Sequence, residues 1–475
     1  MNRLQVRERR LAAAIAIAFA SVAAMAATLP RGTSARANHA EGTGSVWIVT
    51  NCSDGDKGSL RDIVQNVAQS GDVVDLGQLP ALCGMADSTI TLTSGEIVVP
   101  QTVLTLAGPT PGTGTVTLSG NHVSRVLDGI APYSPSVTLA ISDLAFVDGY
   151  VSASTYANGG CIRTPAYAIL ERVSMTGCMA FSGTGHAAGG ALYATVVELT
   201  DSTISGNTVD AAGFASGGGV FAGTLEGKYS SISGNFASSD AGLAYGGGAA
   251  VFGAFIHHMT LAYNMADYGS ALNTRGYRPT TISDSTISSN TGRVGAIRAV
   301  SSENPIGSEI NVLEISNSTI AFNHSTRDAA AGAVYFAKTE ADPSSSITLE
   351  SSIIAGNTAG ETSTPADLYV KADAELVGAD NLVIASNVSP PGVITVTGDP
   401  LLGPLRDNGG PTLTHALLSG SPAIGVGNTE MISPYSSIYY DQRGPGFPRS
   451  RLVAGVAVTD IGAVQFDTLF ANGFD

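Results

Sequence analysis

The chain has 475 residues and carries 23 Lys and Arg against 39 Asp and Glu, a formal charge of −16. An acid excess of that size excludes wrapping on nucleic acid or on an anionic membrane surface. Hydrophobic residues at 44% exclude global disorder, the lack of a three-residue period among the 57 glycines excludes collagen, and charged residues at 13% leave an acidic, soluble, β-rich protein.

In chain order, Arg3, Arg7, Arg9 and Arg10 precede an apolar run from Leu11 to Ala26 that ends in Ala24-Met25-Ala26, an A-x-A cleavage pattern. The run is shorter than the roughly 18–20 residues that span a bilayer. Residues 1–26 therefore read as a signal peptide rather than a membrane anchor, and 27–43 as a linker; no second run of spanning length follows, so no transmembrane segment is expected after cleavage. Cys52, Cys83, Cys161 and Cys178 remain, and an even count in an exported chain predicts two disulfides. Zinc is the competing use, but no C-x2-C pair and no His at ligand spacing accompanies them. Proximity suggests Cys52 with Cys83 and Cys161 with Cys178, one of three possible connectivities.

Residues 44–84 read as an N-terminal cap. Ser59 is placed as a helix N-cap with Asp62 three residues on, and Leu60, Ile63, Val64 and Val67 follow at helical spacing. This predicts one short amphipathic helix across the first coil, flanked by the first two cysteines. Strands are expected over 89–99, 102–106 and 115–118.

From there an apolar-x-x-Asn pattern recurs, ending at Asn207, Asn235, Asn264, Asn290, Asn323 and Asn357. Successive Asn lie 28, 29, 26, 33 and 34 residues apart, and Cys178 fills the same slot 29 residues before Asn207. A pair of Gly or small residues followed by apolar ones alternates with it, as in Gly189-Gly190-Ala191-Leu192, Gly218-Gly219-Val220-Phe221 and Gly332-Ala333-Val334. The stretches between are short and β-branched, with no amphipathic helical period. Strands and turns at this period predict a right-handed parallel β-helix over 85–397, its coils stacked about 4.8 Å apart. The Asn column would form a ladder that satisfies turn carbonyls, and Gly at the opposite corner permits positive φ. A propeller is excluded by the shorter period and by the single Trp.

The repeat stops after Asn357, and the text from Gly398 to Gln465 is rich in Pro and Gly turns, including Asp407-Asn408-Gly409-Gly410-Pro411-Thr412 and Asp441-Gln442-Arg443-Gly444. Residues 398–465 read as a C-terminal capping module. The tail 466–475, with Phe470 and Phe474, reads as a sorting or docking tag or as a frayed terminus.

The alternating Asn and Gly-Gly markers resemble the repeats of polymorphic outer-membrane proteins and other pectin-lyase-like β-helices. Asn51-Cys52 with Gly58-Ser59-Leu60-Arg61 is similar to the N-terminal region of exported CSLREA-type proteins, although Gly58 stands where that motif has Cys. Residues 398–465 resemble a choice-of-anchor Q region. The resemblance implies an exported protein of a Gram-negative bacterium, extracellular or on the outer surface.

No catalytic constellation is legible. Acids just after the Asn slot, Asp210, Asp240, Asp267 and Asp328, could align into a carboxylate stripe able to hold Ca²⁺, or serve as solvated loop acids. No other cofactor is expected. His257 and His258 are adjacent on a strand and so point to opposite faces, which assigns them structural or exposed roles. Arg443 and Asp441 are expected to form a turn-stabilising ion pair in a surface loop. The resulting expectation is a non-catalytic binding or adhesion module for polysaccharide or a cell-surface component. The alternatives are a polysaccharide lyase or glycoside hydrolase, and a purely structural surface element.

Overall fold

The computed structural model describes residues 44–467, apart from 85, 130–137, 276–277, 302–311, 328–330, 339–344, 372–373, 390–391 and 430–439. The signal peptide, the linker, Asp328 and the tail beyond Asp467 lie outside the described residues.

The chain winds into a parallel β-solenoid of three long sheets, here A, B and C. One coil shows how it is built. Leu192–Thr200 lies in sheet A, Thr203–Ser205 in sheet B, and Thr208–Ala211 with Ala215–Ser216 in sheet C. Alternation puts Leu192, Ala194, Val197, Leu199, Ile204 and Val209 inside, and each strand pairs in parallel with its equivalents in the coils before and after, as Leu192 does with Ile162 and Val220. Each of the three corners of this coil uses one residue in the left-handed region: Asp201 at φ 48°, Gly206 at 64° and Gly217 at 70°. Glycine supplies two of these turns at low cost. The corner between A and B is instead held by side-chain-bearing residues, among them Arg172, Asp201, Tyr229, His258 and Asp284.

Near the N-terminus, Ser59 caps a single helical turn, Leu60–Asp62, that continues as a π turn over Ile63–Val67. Leu60, Ile63 and Val64 enter the main core, and Gln101 Nε2 donates to the otherwise unanswered carbonyls of Val64 and Ala68 at 2.7 and 2.8 Å. A second short helix, Leu79–Leu82, falls in a stretch for which the sequence suggested none. Two disulfides, Cys52–Cys83 and Cys161–Cys178, have Cα separations of 6.3 and 5.4 Å. No helix among the described residues is long and apolar enough to cross a membrane.

The largest departure from expectation concerns residues 398–465. Expected as a cap on the end of the stack, their described parts lie along its flank, on the outer face of sheet B. Thr260 Oγ1 donates to Leu413 O, His415 Nε2 meets Ser288 Oγ at 2.8 Å, and Ala463 N–H donates to Thr319 Oγ1. Beyond them Ile353, Ala355 and Leu382 pack with Leu417, Ala423 and Ile461. Outward positions of sheet B are partly or fully exposed in Ser174–Thr176, Thr203–Ser205 and Ser231–Ser233, then wholly buried from Thr260–Ala262 to Asn381–Val383. The physical reason is side-chain size: small residues and finally apolar ones let a second backbone approach.

Candidate functional site

Of the four acids proposed as a stripe, the three that are described, Asp210, Asp240 and Asp267, do not form one column. Asp210 points outward from sheet C and faces Ser238 on the next coil, not Asp240, which sits in the exposed turn beyond that strand. Asp267 is engaged by Ala244 N–H at 3.1 Å and by Arg293 at 3.8 Å. The uneven arc lengths slide the acids out of one column. No group of three or more potential ligands able to hold a metal occurs among the described residues.

The Asn column is a continuous buried ladder. From Asn235 on, each side-chain oxygen accepts both the backbone N–H and the Nδ2 of the Asn one coil earlier, for example Asn235 from Asn207 at 3.0 and 2.9 Å, while Asn207 accepts the Cys178 N–H and each Nδ2 also donates to a carbonyl of the coil behind. The small-residue column faces it: a Cβ on Gly219 or Gly248 would stand 3.1 Å from the Asn235 or Asn264 amide. At the first position both columns carry cysteine, and there Cys161 bridges Cys178. At the last, Asp367 replaces the small residue, and its carboxylate accepts from Asn357 N and Nδ2 at 3.0 and 2.8 Å. Burial raises the Asp367 carboxyl and those hydrogen bonds lower it. A second ladder went unread in the sequence. Ser202, Ser230, Ser285, Ser318 and Ser352 each return a hydrogen bond to the carbonyl two residues back. Ser202, Ser285 and Ser352, for instance, also accept an N–H from the preceding coil. The signal was Ser two residues before the apolar member of five of the six Asn motifs, with Met259 in that place in the sixth. These ladders are structural.

His257 Nδ1 lies 2.5 Å from Ser283 Oγ, and His258 occupies the A–B corner at φ 54°, buried against Tyr229. Burial lowers both, His258 to about 4. Arg443 and Asp441 do pair, at 2.6 Å, but the pair is buried rather than on a surface loop. Asp441 also accepts Gln465 N–H, which explains its position: it ties the module's own turns together.

What stands out on the exterior is a row of rings where sheet C turns into sheet A. Tyr156, His186, Phe214, Tyr245 and Tyr268 follow one another over successive coils with centroid steps of 5.5, 5.0, 6.4 and 5.2 Å. Tyr156 is exposed and the others half-buried. His186 Nδ1 accepts Phe214 N–H at 2.9 Å, and burial lowers its pKa, so the ring is neutral near pH 7. Three guanidiniums close the row: Arg275 over Tyr245 at 5.3 Å, Arg298 over Tyr268 at 5.3 Å, and Arg293 over Tyr268 at 6.0 Å. Around the corner, the outward column of sheet A carries Tyr193 stacked on Phe221 at 5.2 Å, then Arg298, then Tyr335 stacked on Tyr369 at 5.3 Å. At its N-terminal end Arg163 binds Asp128 in a two-pronged pair at 2.7 and 2.6 Å, and Arg125 joins Glu96. Burial raises Glu96, against the pull of Arg125; the adjacent Asp128 carboxyl adds to the rise.

Apart from Phe221, which was read only as part of a repeat marker, none of these residues was singled out from the sequence. Part of the signal was present, since Tyr193, Arg298 and Tyr335 each follow directly on the small-apolar marker. No known family model and no curated protein matches this chain.

Proposed function

We propose that this is an exported binding module whose row of rings and guanidiniums holds an extended polysaccharide or a similar surface polymer without turning it over. The observation that carries the reading is the five-ring row from Tyr156 to Tyr268 with Arg275 and Arg298 at its end. Sugar rings present apolar faces that stack on aromatic side chains, and coils about 4.8 Å apart repeat such contacts along a line. Two disulfides suit an oxidising compartment, and the resemblance to pectin-lyase-like, right-handed β-helices of Gram-negative surfaces supports export and display.

A hydrolytic reading has one observation in its favour, the Glu96 carboxyl, whose pKa burial raises beside the Asp128 carboxyl, as an acid catalyst needs. Both readings meet one experiment. Residues 27–475 are incubated with acidic and neutral polysaccharides, with and without calcium, and retained protein and released products are both measured. Retention without products supports the module. Products lost in Glu96→Gln support the hydrolase, and silence in both overturns the two readings in favour of a structural element.

A further inference from the structure

The row ends at a charge that no acid among the described residues answers. Arg298 stands on the strand Ile297–Val300, between Asn273 on the coil before and Tyr335 on the coil after. One of its N–H groups donates to Asn273 Oδ1 at 3.1 Å. Its guanidinium lies 5.3 and 6.0 Å from the centroids of Tyr268 and Tyr245, and Arg275 sits over the same Tyr245 ring at 5.3 Å. Among the described residues no carboxylate pairs with Arg298; Asp267, the acid of this corner, is spoken for by Ala244 N–H and Arg293. In a chain with 39 acids and 23 bases, a half-buried guanidinium that no described carboxylate pairs, beside a second guanidinium, is an unusual arrangement. Burial and the neighbouring Arg275 both act against the charge of Arg298, so a bound anion would relieve the site.

We propose that Arg298, seated on Tyr268 and Tyr245, binds an oxyanion substituent of the ligand: a carboxylate, sulfate or phosphate group. The planar guanidinium offers parallel N–H donors that match two oxygens of such a group, and the tyrosine faces fix its plane. The rings of the row then stack on the sugars to either side. This inference rests on the ligand reading above and deepens it.

The test uses the whole mature chain in two arms. In the first, inorganic sulfate and inorganic phosphate are tested separately for protection of Arg298 from an arginine-specific dicarbonyl reagent, read by peptide mass spectrometry. Protection of Arg298 but not of Arg172 is expected; equal modification with and without both anions overturns the proposal, whatever any polymer does. In the second, retention on carboxylated, sulfated and phosphorylated polysaccharides is compared with that on their neutral parents. Arg298→Gln is expected to lose about tenfold in retention on at least one anionic polymer, the loss of one charge-assisted pair. Retention on the neutral parent, which the rings still hold, is expected to fall by clearly less, and in the control Lys57→Gln neither is expected to change. Which anionic polymer responds identifies the group. Equal losses on neutral and anionic polymers, or none, overturn the inference, and the binding reading survives if the neutral polymer is still held.

Discussion

The flank of sheet B and the corner between sheets C and A are made by the same winding of the same backbone, yet one is covered by the chain and the other presents side chains. On the flank the outward residues are Thr260, Thr286, Ser288, Thr319, Ala321 and Ala355, short enough for residues 398–465 to approach and exchange hydrogen bonds with them. At the corner the outward residues are rings and guanidiniums that fill the space themselves, and most stay in partial contact with water. A parallel ladder thus decides neither fate. The length and hydrogen-bonding capacity of outward side chains do, and they separate a surface for self-docking from one that stays open to solvent.

Removing residues 398–475 should break this contrast most severely. Ile353, Ala355 and Leu382 would then face water on a flat sheet, and the truncated protein is expected to aggregate, as light scattering and dye binding would show. Next in size is Arg449→Ala. Arg449 bridges the module to the solenoid through Asn317 O at 3.0 Å and Asp284 at 3.2 Å, both acid and base being buried. Its loss leaves the Asp284 carboxylate buried without its partner and is expected to cost about 3–5 kcal/mol in denaturant unfolding.

The flank should also respond to pH. His258 is buried there beside Tyr229, and its carbonyl accepts from Thr412 of the module at 3.5 Å. Its folded pKa of about 4 lies below the ordinary histidine value of about 6.5, so its contribution is complete above pH 6.5 and is lost as pH falls towards 4, about 3 kcal/mol in all. His257 and His415 are shifted the same way. Asp284 opposes them: burial pushes its carboxyl up to about 6 from 3.8 despite Arg449, so its contribution grows as pH falls through that window. His258→Gln is therefore expected to flatten the acid loss in a pH series of unfolding curves. An unchanged pH profile would refute the assignment. The smallest effect on stability belongs to the row. Tyr156→Ser, at an exposed ring, should change stability by no more than about 0.5 kcal/mol while weakening polysaccharide retention. A large stability loss there would erase the distinction between the two surfaces.

The coils were legible because their two markers are backbone requirements: a residue at positive φ and an amide buried in a turn leave the same trace in every repeat. The Asn column and the Gly-Gly corner were read at their own positions for that reason. The Ser column escaped notice because Ser is frequent in this chain and its role lies in a hydrogen bond two residues back. The row of rings was harder still. Tyr156, His186 and Phe214 occupy one column and Tyr245 and Tyr268 the next, so no fixed spacing announces them. The docking of residues 398–465 was invisible because it depends on which outward positions stay small, a negative feature spread over five strands.

The buried Asn row also has a polarity. Each amide oxygen serves the coil before it, and each pair of N–H donors depends on the coil after it, until Asp367 ends the series with a carboxylate. A chain cut after any one of these Asn residues leaves two donors stranded in the core, whereas excision of a whole period, such as 208–235, restores the same joint with Asn264 in place of Asn235. The height of the molecule is therefore a heritable integer, open to change by recombination between equal positions in steps of one coil, with the terminating acid retained each time.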